Sequence, residues 1–137
     1  MSTSTTKLTI LYVDDDVDDC IFLRASLEDA GSEADLICAN DGEEAVKYLN
    51  EAEIEALPSL IVLDLNMPRW DGRRTLSYLK SQPRLASIPV IILSTSENKS
   101  DKEACTQLGA ASYFKKPFHY DGYKAIASNF ISYVNVC

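Results

Sequence analysis

Short apolar runs alternate with amphipathic segments along the chain. Five runs rich in branched aliphatic residues have the length of strands buried on both faces. These predicted strands are Lys7–Val13, Ala34–Ala39, Leu60–Leu63, Val90–Leu93 and Ala111–Lys115. After each run the apolar spacing becomes helical, which predicts five helices. In the first helix, predicted over Val17–Ala30, the expected core stripe is Phe22, Leu23, Ser26, Leu27 and Ala30.

Capping and breaking residues mark the ends of these helices. Asp41 and Asp71 stand where an N-cap is expected, before the second and third helices. Gly31 and Gly109 are suited to end the first and fourth helices, and Pro83 ends the third. The fourth helix is predicted over about Asp101–Leu108 and the fifth from about Tyr123. The alternation predicts an α/β domain with a parallel sheet covered on both faces.

Length and termini predict one domain. The 137 residues suffice for one hydrophobic core. We expect a flexible N-terminal segment at residues 1–6 and a domain over residues 7–137, with no output domain. The N-terminus has no basic start or apolar signal core, and no apolar run approaches the ~20 residues of a membrane span. A cytoplasmic protein without a membrane partner is therefore expected.

Charge and cysteine usage narrow the function further. A net charge of −8 argues against nucleic-acid binding, which needs clustered Lys and Arg. The four cysteines have no metal-ligand spacing and are expected to be free thiols, mostly small core residues. They are Cys20, Cys38, Cys105 and Cys137. With one histidine in the chain, His119, a zinc site is not expected.

Polar side chains follow four of the five predicted strands. Asp14 and Asp15 follow the first, Asp64 the third, Ser94 the fourth and Lys116 the fifth. Ligands of open parallel sheets bind outside the carboxyl ends of the strands, where these groups would converge.

The clustered carboxylates predict a cation. Asp14, Asp15 and Asp64 would repel one another strongly without a positive charge between them. Hard oxygen ligands with room for water suit Mg²⁺. Asp16 is left open between a place in this cluster and an ordinary helix cap.

Asp64 and its expected neighbours suit phosphoryl transfer. A carboxylate can act as nucleophile and form an acyl phosphate, and the reaction then needs mainly positioning and charge neutralisation. Ser94 offers a hydroxyl donor and Lys116 a point charge. Lys115 is expected to be an ordinary solvated lysine. Pro117 follows Lys116 and is expected to fix its backbone.

These residues resemble the receiver domain of two-component response regulators, of which the chemotaxis regulator type is the simplest member. The resemblance covers roughly Leu8 to Val134, and the order and spacing of the motifs fit the family. The motifs are Val13-Asp14-Asp15, Leu63-Asp64-Leu65-Asn66-Met67-Pro68, Asp71-Gly72, Ile92-Leu93-Ser94-Thr95 and Lys116-Pro117-Phe118. The resemblance implies a flavodoxin-like (βα)5 fold, doubly wound, with strand order 2-1-3-4-5.

The resemblance also implies a role for each site residue. Asp64 would be the phosphoacceptor, and Asp15 and Asp64 would bind Mg²⁺ directly. The metal would also be held by the backbone carbonyl of Asn66 and, through water, by Asp14. Ser94 and Lys116 would hold phosphoryl oxygens.

Tyr113 occupies the family's aromatic switch position. Its ring would turn inward when the Ser94 hydroxyl moves toward the phosphoryl group. The alternative is a half-buried strand aromatic, which Tyr113 would also be in one of its two rotamers.

The implied partners are a histidine kinase or histidine phosphotransfer protein and a downstream protein target. Val17, Cys20 and Ile21 lie off the predicted core stripe and are candidates for docking a histidine-bearing helix. A second candidate surface spans the fourth helix, fifth strand and fifth helix. The chain is expected to be a monomer or weak homodimer, and a phosphorelay intermediate is an alternative to an end-point regulator.

Three other functions are alternatives to a phosphorylated receiver. A phosphatase of the haloacid-dehalogenase type would need a second catalytic Asp at position 66, where the chain has Asn. A flavodoxin-like cofactor binder would need a Gly-rich phosphate loop after the first strand. A receiver-like scaffold that is not phosphorylated would often lack one of the acidic residues or the lysine. Trp70 is expected to be either a partly exposed aromatic or a wall of the pocket.

Overall fold

Five parallel strands form one sheet in the order β2-β1-β3-β4-β5. The computed structural model describes residues 8–67, 70–96, 98–117 and 119–134, so the predicted flexible segment lies outside the described residues. The strands are β1 (Thr9–Val13), β2 (Asp35–Ala39), β3 (Leu60–Asp64), β4 (Val90–Ser94) and β5 (Ser112–Lys115). The predicted doubly wound α/β fold and its strand order are confirmed.

Helices follow the strands and cover both faces of the sheet. They are α1 (Val17–Asp29), α2 (Gly42–Glu51), α3 (Gly72–Ser81), α4 (Lys99–Gln107) and α5 (Tyr120–Val134), with a short 3-10 helix at Ile54–Ala56. Along the described part of the chain, no helix has the length and apolar character that crossing a membrane requires.

The alternation of side chains along each strand divides the core into two halves. Ile10 and Tyr12 of β1 point to the face covered by α1 and α5. Leu11 and Val13 point to the opposite face, covered by α2, α3 and α4. β3 and β4 are buried along their whole length, which explains their continuous apolar sequence.

Two helices begin earlier than the sequence pattern predicts. α4 begins at Lys99 because Asn98 caps it, its side-chain oxygen accepting a hydrogen bond of 2.8 Å from the backbone N–H of Ser100. α5 begins at Tyr120 rather than near Tyr123.

The buried stripe of α1 is rotated relative to the predicted one. Phe22 is 43% exposed, and Ala30 is also exposed, so both were wrongly assigned to the core. Cys20 is buried instead, in line with Leu23 and Leu27. A stripe at positions 20, 23 and 27 has the same helical period, and the sequence pattern alone does not separate the two alignments.

Two of the four cysteines form a disulfide, contrary to the prediction of free thiols. Cys20 of α1 is bonded to Cys38 of β2, with 6.5 Å between their Cα atoms. Both side chains belong to the core half beneath α1, so the crossover from α1 to β2 brings them together. Cys105 is buried and free, as predicted, and Cys137 lies outside the described residues.

Candidate functional site

Three carboxylates meet at the carboxyl ends of β1 and β3, as predicted. Oxygens of Asp14, Asp15 and Asp64 all lie within 4.8 Å of one another. Asp14 and Asp64 are buried, whereas Asp15 is exposed. β1 and β3 are neighbours in the sheet, and this pairing brings together residues far apart in sequence.

Asp14 is held by donors on both of its oxygens. Oδ2 accepts hydrogen bonds from the Tyr12 hydroxyl at 2.5 Å and from Lys116 Nζ at 2.8 Å. Oδ1 accepts the backbone N–H of Asp16 at 2.9 Å. Burial by itself would raise the pKa of Asp14, but the hydrogen bonds from Lys116 and Tyr12 outweigh it and hold that pKa below its usual value.

Asp64 has weaker support than Asp14. Its Oδ1 accepts the backbone N–H of Asn66 at 3.2 Å, and its Oδ2 lies 3.5 Å from Lys116 Nζ. Burial, followed by the nearby charge of Asp14, raises the pKa of Asp64 to about 7. An ionised Asp64 therefore calls for further positive charge at this edge of the sheet.

The Lys116 ammonium supplies a positive charge among several carboxylates. Its side chain is 11% exposed and its Nζ contacts Asp14 and Asp64. Its backbone N–H donates to the Ser94 carbonyl at 2.6 Å, which anchors the residue beside β4. Burial opposes its charge, but the hydrogen bonds to Asp14 and Asp19 raise the pKa of Lys116 above its ordinary value.

Asp19 is a site residue that the sequence analysis missed. Its carboxylate accepts Lys116 Nζ at 2.7 Å on Oδ2 and the Tyr123 hydroxyl at 2.9 Å on Oδ1. Burial is the largest cause of its raised pKa. Acidic residues are common in the first turn of a helix, where they interact favourably with the helix dipole. The sequence alone therefore does not mark Asp19 as a site residue. The available signal was that α1 starts right after β1, so its first turn lies at the same edge.

Asp16 caps α1. Its side chain accepts the backbone N–H of Asp18 at 2.9 Å, the usual N-cap contact. Of the two alternatives left open for Asp16, the structure shows the cap.

Ser94 lies at the end of β4, fully buried and next to β3. Its hydroxyl accepts the backbone N–H of Ser96 at 3.1 Å. The Ser96 hydroxyl donates to Asp101 of α4 at 2.7 Å, and Asp101 also pairs with Arg73 of α3. The segment between β4 and α4 is thus tied to two helices.

Tyr113 is tied to the same segment. It is half-buried in β5, and its hydroxyl donates to the Ser96 carbonyl at 3.0 Å. Lys102 of α4 lies over the ring, with Nζ 5.7 Å from the centroid. Ser94 and Tyr113 therefore share Ser96 as a neighbour, and the switching of Tyr113 stays a prediction.

Gly72 fits tightly against the backbone of the candidate acceptor. A Cβ atom at this position would lie 2.6 Å from the Asp64 carbonyl oxygen and 2.7 Å from Leu65 Cα. The Gly72 N–H donates to the Leu65 carbonyl at 3.0 Å, and Asp71 caps α3. The Asp-Gly pair therefore brings α3 against the end of β3.

The predicted docking residues fall into two groups. Val17 is 63% and Ile21 52% exposed, as a docking surface requires. Cys20 does not belong with them, because it is buried and disulfide-bonded. Phe22, predicted to be a core residue, is 43% exposed instead, and its ring lies 5.9 Å from that of Tyr123 on α5.

Trp70 packs beside α2 and α3. The Arg74 guanidinium lies 4.1 Å from the centre of its ring, and Tyr78 meets it edge-on at 5.6 Å. It borders a shallow cavity of about 540 Å³ whose other lining residues belong to α2 or its cap. Trp70 is thus a partly exposed aromatic, the first of its two predicted alternatives.

The carboxylate cluster fits a divalent cation. Asp14, Asp15 and Asp64 offer the hard oxygen donors that such cations take. The exposure of Asp15 leaves access for water ligands.

Comparison with known proteins agrees with this geometry. Residues 10–127 match the family model of the response regulator receiver domain. Response regulator Rcp1 of Synechocystis sp. is 37% identical over 110 residues, which cover 78% of this chain and 75% of Rcp1.

Two solved structures are similar over nearly the whole chain. The phosphorylated cyanobacterial phytochrome response regulator RcpA has a TM-score of 0.83 at 31% identity, covering 93% of this chain and 94% of its own. The Mn²⁺-bound form of Rcp1 has a TM-score of 0.83 at 31% identity, covering 95% of this chain and 97% of its own.

The family match decides against the phosphatase and the flavodoxin-type cofactor binder, since receivers are signalling domains and not classical enzymes. The sheet order and the convergence of the acidic residues and the lysine agree with it. The chain belongs to the response regulator receiver domain family of two-component systems.

Proposed function

We propose that Asp64 accepts a phosphoryl group from a phosphohistidine and that the resulting change of shape regulates a protein partner. The observation that carries the proposal is the placement of Asp64 at the end of β3. There it lies among Asp14, Asp15 and Lys116 and on the strand next to Ser94. RcpA, which shares the fold and 31% of the sequence, has been solved in a phosphorylated form, and this supports the proposal.

In the proposed reaction a carboxylate oxygen of Asp64 attacks phosphorus. The new O–P bond forms as the N–P bond to the donor imidazole breaks, and the imidazole leaves with the electron pair. Water later attacks the acyl phosphate, which releases inorganic phosphate and restores the carboxylate. The domain's own residues are proposed to assist both steps, so that small phosphoryl donors also serve.

Lys116 and Ser94 are proposed to hold the phosphoryl oxygens. The Lys116 ammonium lies 3.5 Å from Asp64 and offers a point charge to a phosphoryl oxygen. The Ser94 hydroxyl accepts a backbone N–H, which leaves its own proton available to donate.

The cation is proposed to be Mg²⁺, which would neutralise the oxygen charges at the site. Asp15 and Asp64 would bind it directly, together with the backbone carbonyl of Asn66. Asp14 would act through water, since donors already engage both of its oxygens. The solved Mn²⁺-bound form of Rcp1 supports a divalent cation at this site.

Ser94 and Tyr113 are proposed to carry the signal away from Asp64. Movement of Ser94 toward a phosphoryl oxygen would disturb Ser96, whose backbone contacts both residues. Tyr113 would then lose its present partner and turn inward. The population of the active arrangement would rise because the phosphoryl group favours it.

The proposed phosphoryl donor is a histidine kinase or histidine phosphotransfer protein that docks on Val17 and Ile21, which are exposed beside the acidic site. We propose a downstream protein target, no nucleic-acid partner in view of the net charge of −8, and a monomer or weak homodimer in the cytoplasm. The receiver unit is proposed to span residues 7–137.

Phosphorylation with acetyl phosphate and Mg²⁺ tests the proposal, with the product followed by intact-mass spectrometry. We expect the wild type to gain one phosphoryl group and Asp64→Asn to gain none. Asp18→Asn, which removes an exposed carboxylate of α1, is the matched control and should react like the wild type. Equal phosphorylation of Asp64→Asn would disprove the assignment, and no phosphorylation of the wild type would favour a scaffold role.

A further inference from the structure

Asp19 joins Lys116 to two helices. It belongs to the first turn of α1, and its carboxylate is enclosed, with 15% of the side chain exposed. One oxygen accepts Lys116 Nζ at 2.7 Å and the other accepts the hydroxyl of Tyr123 on α5 at 2.9 Å. Because both oxygens are occupied by donors from different elements, the orientation of the carboxylate is fixed.

Lys116 lies closer to the carboxylates of the α1 side than to Asp64. Its Nζ is 2.7 Å from Asp19 and 2.8 Å from Asp14, but 3.5 Å from Asp64. An ammonium group has three N–H donors, so two of them are directed to Asp19 and Asp14.

Asp19 differs from the other partners of Lys116 in one respect. Asp14 and Asp64 belong to the carboxylate cluster that fits a cation, whereas Asp19 is not part of that cluster. Its contact with Lys116 therefore does not compete with a cation for the same oxygens. A cation at the cluster would draw on Asp14 and Asp64 and leave the Asp19 contact in place.

We propose that Asp19 is a positioning residue that holds the Lys116 ammonium away from Asp64 and so keeps Asp64 free to bind the cation. The inference rests on the proposed function, in which Asp64 is both metal ligand and phosphoacceptor. Without the Asp19 charge, Asp14 keeps the donor that it already accepts at 2.8 Å, and the freed donor of Lys116 turns to Asp64, the next carboxylate at 3.5 Å. A close ion pair there neutralises a metal ligand in a poorly solvated place and competes with the cation.

Calorimetric titration with Mg²⁺ alone, without any phosphoryl donor, tests the inference. Asp19→Asn keeps the size of the side chain and removes its charge. Asp18→Asn makes the same change of net charge at an exposed neighbouring position. We expect the Mg²⁺ dissociation constant of Asp19→Asn to exceed that of Asp18→Asn by roughly fivefold, a coupling of the size found between contacting residues.

Removing the lysine separates positioning from simple charge loss. In a Lys116→Met background, Asp19→Asn should change the dissociation constant no more than Asp18→Asn does, because no ammonium remains to be held. A persisting extra loss in that background would show that Asp19 acts by its own charge and would overturn the inference. Equal dissociation constants for the two single variants would overturn it as well.

The titration distinguishes failure of the inference from failure of the proposed function. A wild type that binds Mg²⁺, with Asp19→Asn indistinguishable from Asp18→Asn, contradicts the role of Asp19 alone. A wild type that binds no Mg²⁺ contradicts the proposed metal site, and the role of Asp19 fails with it.

Discussion

Gly72 lies so close to Asp64 that a methyl group on Gly72 would stand 2.6 Å from the Asp64 carbonyl oxygen. In an ordinary helix, Gly→Ala stabilises by up to about 1 kcal/mol. At this position the added methyl must push α3 away from the end of β3. We expect Gly72→Ala to lower the free energy of unfolding by about 2 kcal/mol, measured by urea denaturation. We also expect it to slow the phosphorylation of Asp64.

Gly31→Ala is the matched control for this variant. Gly31 has a φ of +80° and no atom within 4 Å of the position of a Cβ, so the substitution strains the backbone without a steric clash. Gly31→Ala should lower the free energy of unfolding by about 1 kcal/mol and leave the rate of phosphorylation unchanged. If both variants slow phosphorylation equally, the effect reports general destabilisation and the packing argument for Gly72 is wrong.

The raised pKa of Asp64 predicts how stability depends on pH in the absence of metal. Asp64 has a pKa of about 7 when folded, against an ordinary aspartate pKa of 3.8 in the unfolded chain. Between these values the folded state retains a proton that the unfolded state has lost. The contribution of Asp64 to the free energy of unfolding is therefore complete below about pH 4 and is lost as the pH rises through about 7.

Asp64→Asn tests this pH dependence because it removes the titrating group. At pH 8 without metal we expect the variant to be more stable than the wild type by on the order of 2 kcal/mol, with a smaller difference at pH 5. Urea denaturation at the two pH values measures it. Added Mg²⁺ at pH 8 should stabilise the wild type and not the variant. A difference that is the same at both pH values would contradict the raised pKa.

The disulfide between Cys20 and Cys38 predicts a redox-dependent stability. The bonded residues are 18 apart in sequence, and closing a loop of that size in the unfolded chain contributes roughly 3 kcal/mol. Under oxidising conditions we expect the free energy of unfolding of Cys38→Ser to be lower than that of the wild type by about this amount. With reductant present, the wild type and the variant should differ by less than about 1 kcal/mol.

Peptide mapping without reductant provides an independent check on the disulfide. The peptides containing Cys20 and Cys38 should migrate as one linked species, whereas the Cys105 peptide should carry a free thiol. Reduction breaks the bond, so protein purified under reducing conditions should show the lower stability. Full reactivity of Cys20 and Cys38 with an alkylating reagent after oxidation would contradict the bond.

Asp101 predicts the local stability of the segment between β4 and α4. It accepts hydrogen bonds from Arg73 and from Ser96, whose backbone contacts both Ser94 and Tyr113. We expect Asp101→Ala to speed hydrogen exchange of the amides of this segment by roughly tenfold, while the strands stay protected.

Glu103→Ala is the control on the same helix. Glu103 pairs with Lys99 at 3.9 Å, and both side chains are mostly exposed, so this pair should contribute almost nothing. Unchanged exchange in Asp101→Ala, or equal acceleration in Glu103→Ala, would show that Asp101 does not restrain the segment.

The sequence predicted the sheet and most of the site because both depend on strand ends. Buried parallel strands are continuous apolar runs, and the first polar residue after each run marks the edge where ligands bind. Asp14, Asp64 and Ser94 were found in this way, and the register of β1, β3 and β4 confirms that these strand ends are adjacent.

The features that were missed depend on how a helix is rotated about its axis. Asp19, Cys20 and Phe22 lie within one turn of α1, and their positions in sequence are compatible with more than one rotation. The contacts that decide it come from other elements, namely Lys116, Cys38 and Tyr123. Such contacts between distant elements are set by packing, which single-sequence periodicity does not report.

Lys116 and Ser94, which are proposed to hold the phosphoryl oxygens, are linked to helices on opposite faces of the sheet. Lys116 is linked through Asp19 to α1 and α5, whereas Ser94 is linked through Ser96 and Asp101 to α3 and α4. A partner that binds one of these faces and shifts Lys116 or Ser94 must change the affinity of the acidic site for its ligand. Thermodynamic linkage is reciprocal, so the occupied site changes the affinity for that partner by the same factor. Two different partners, one on each face, would then influence each other's binding through Asp64 without touching.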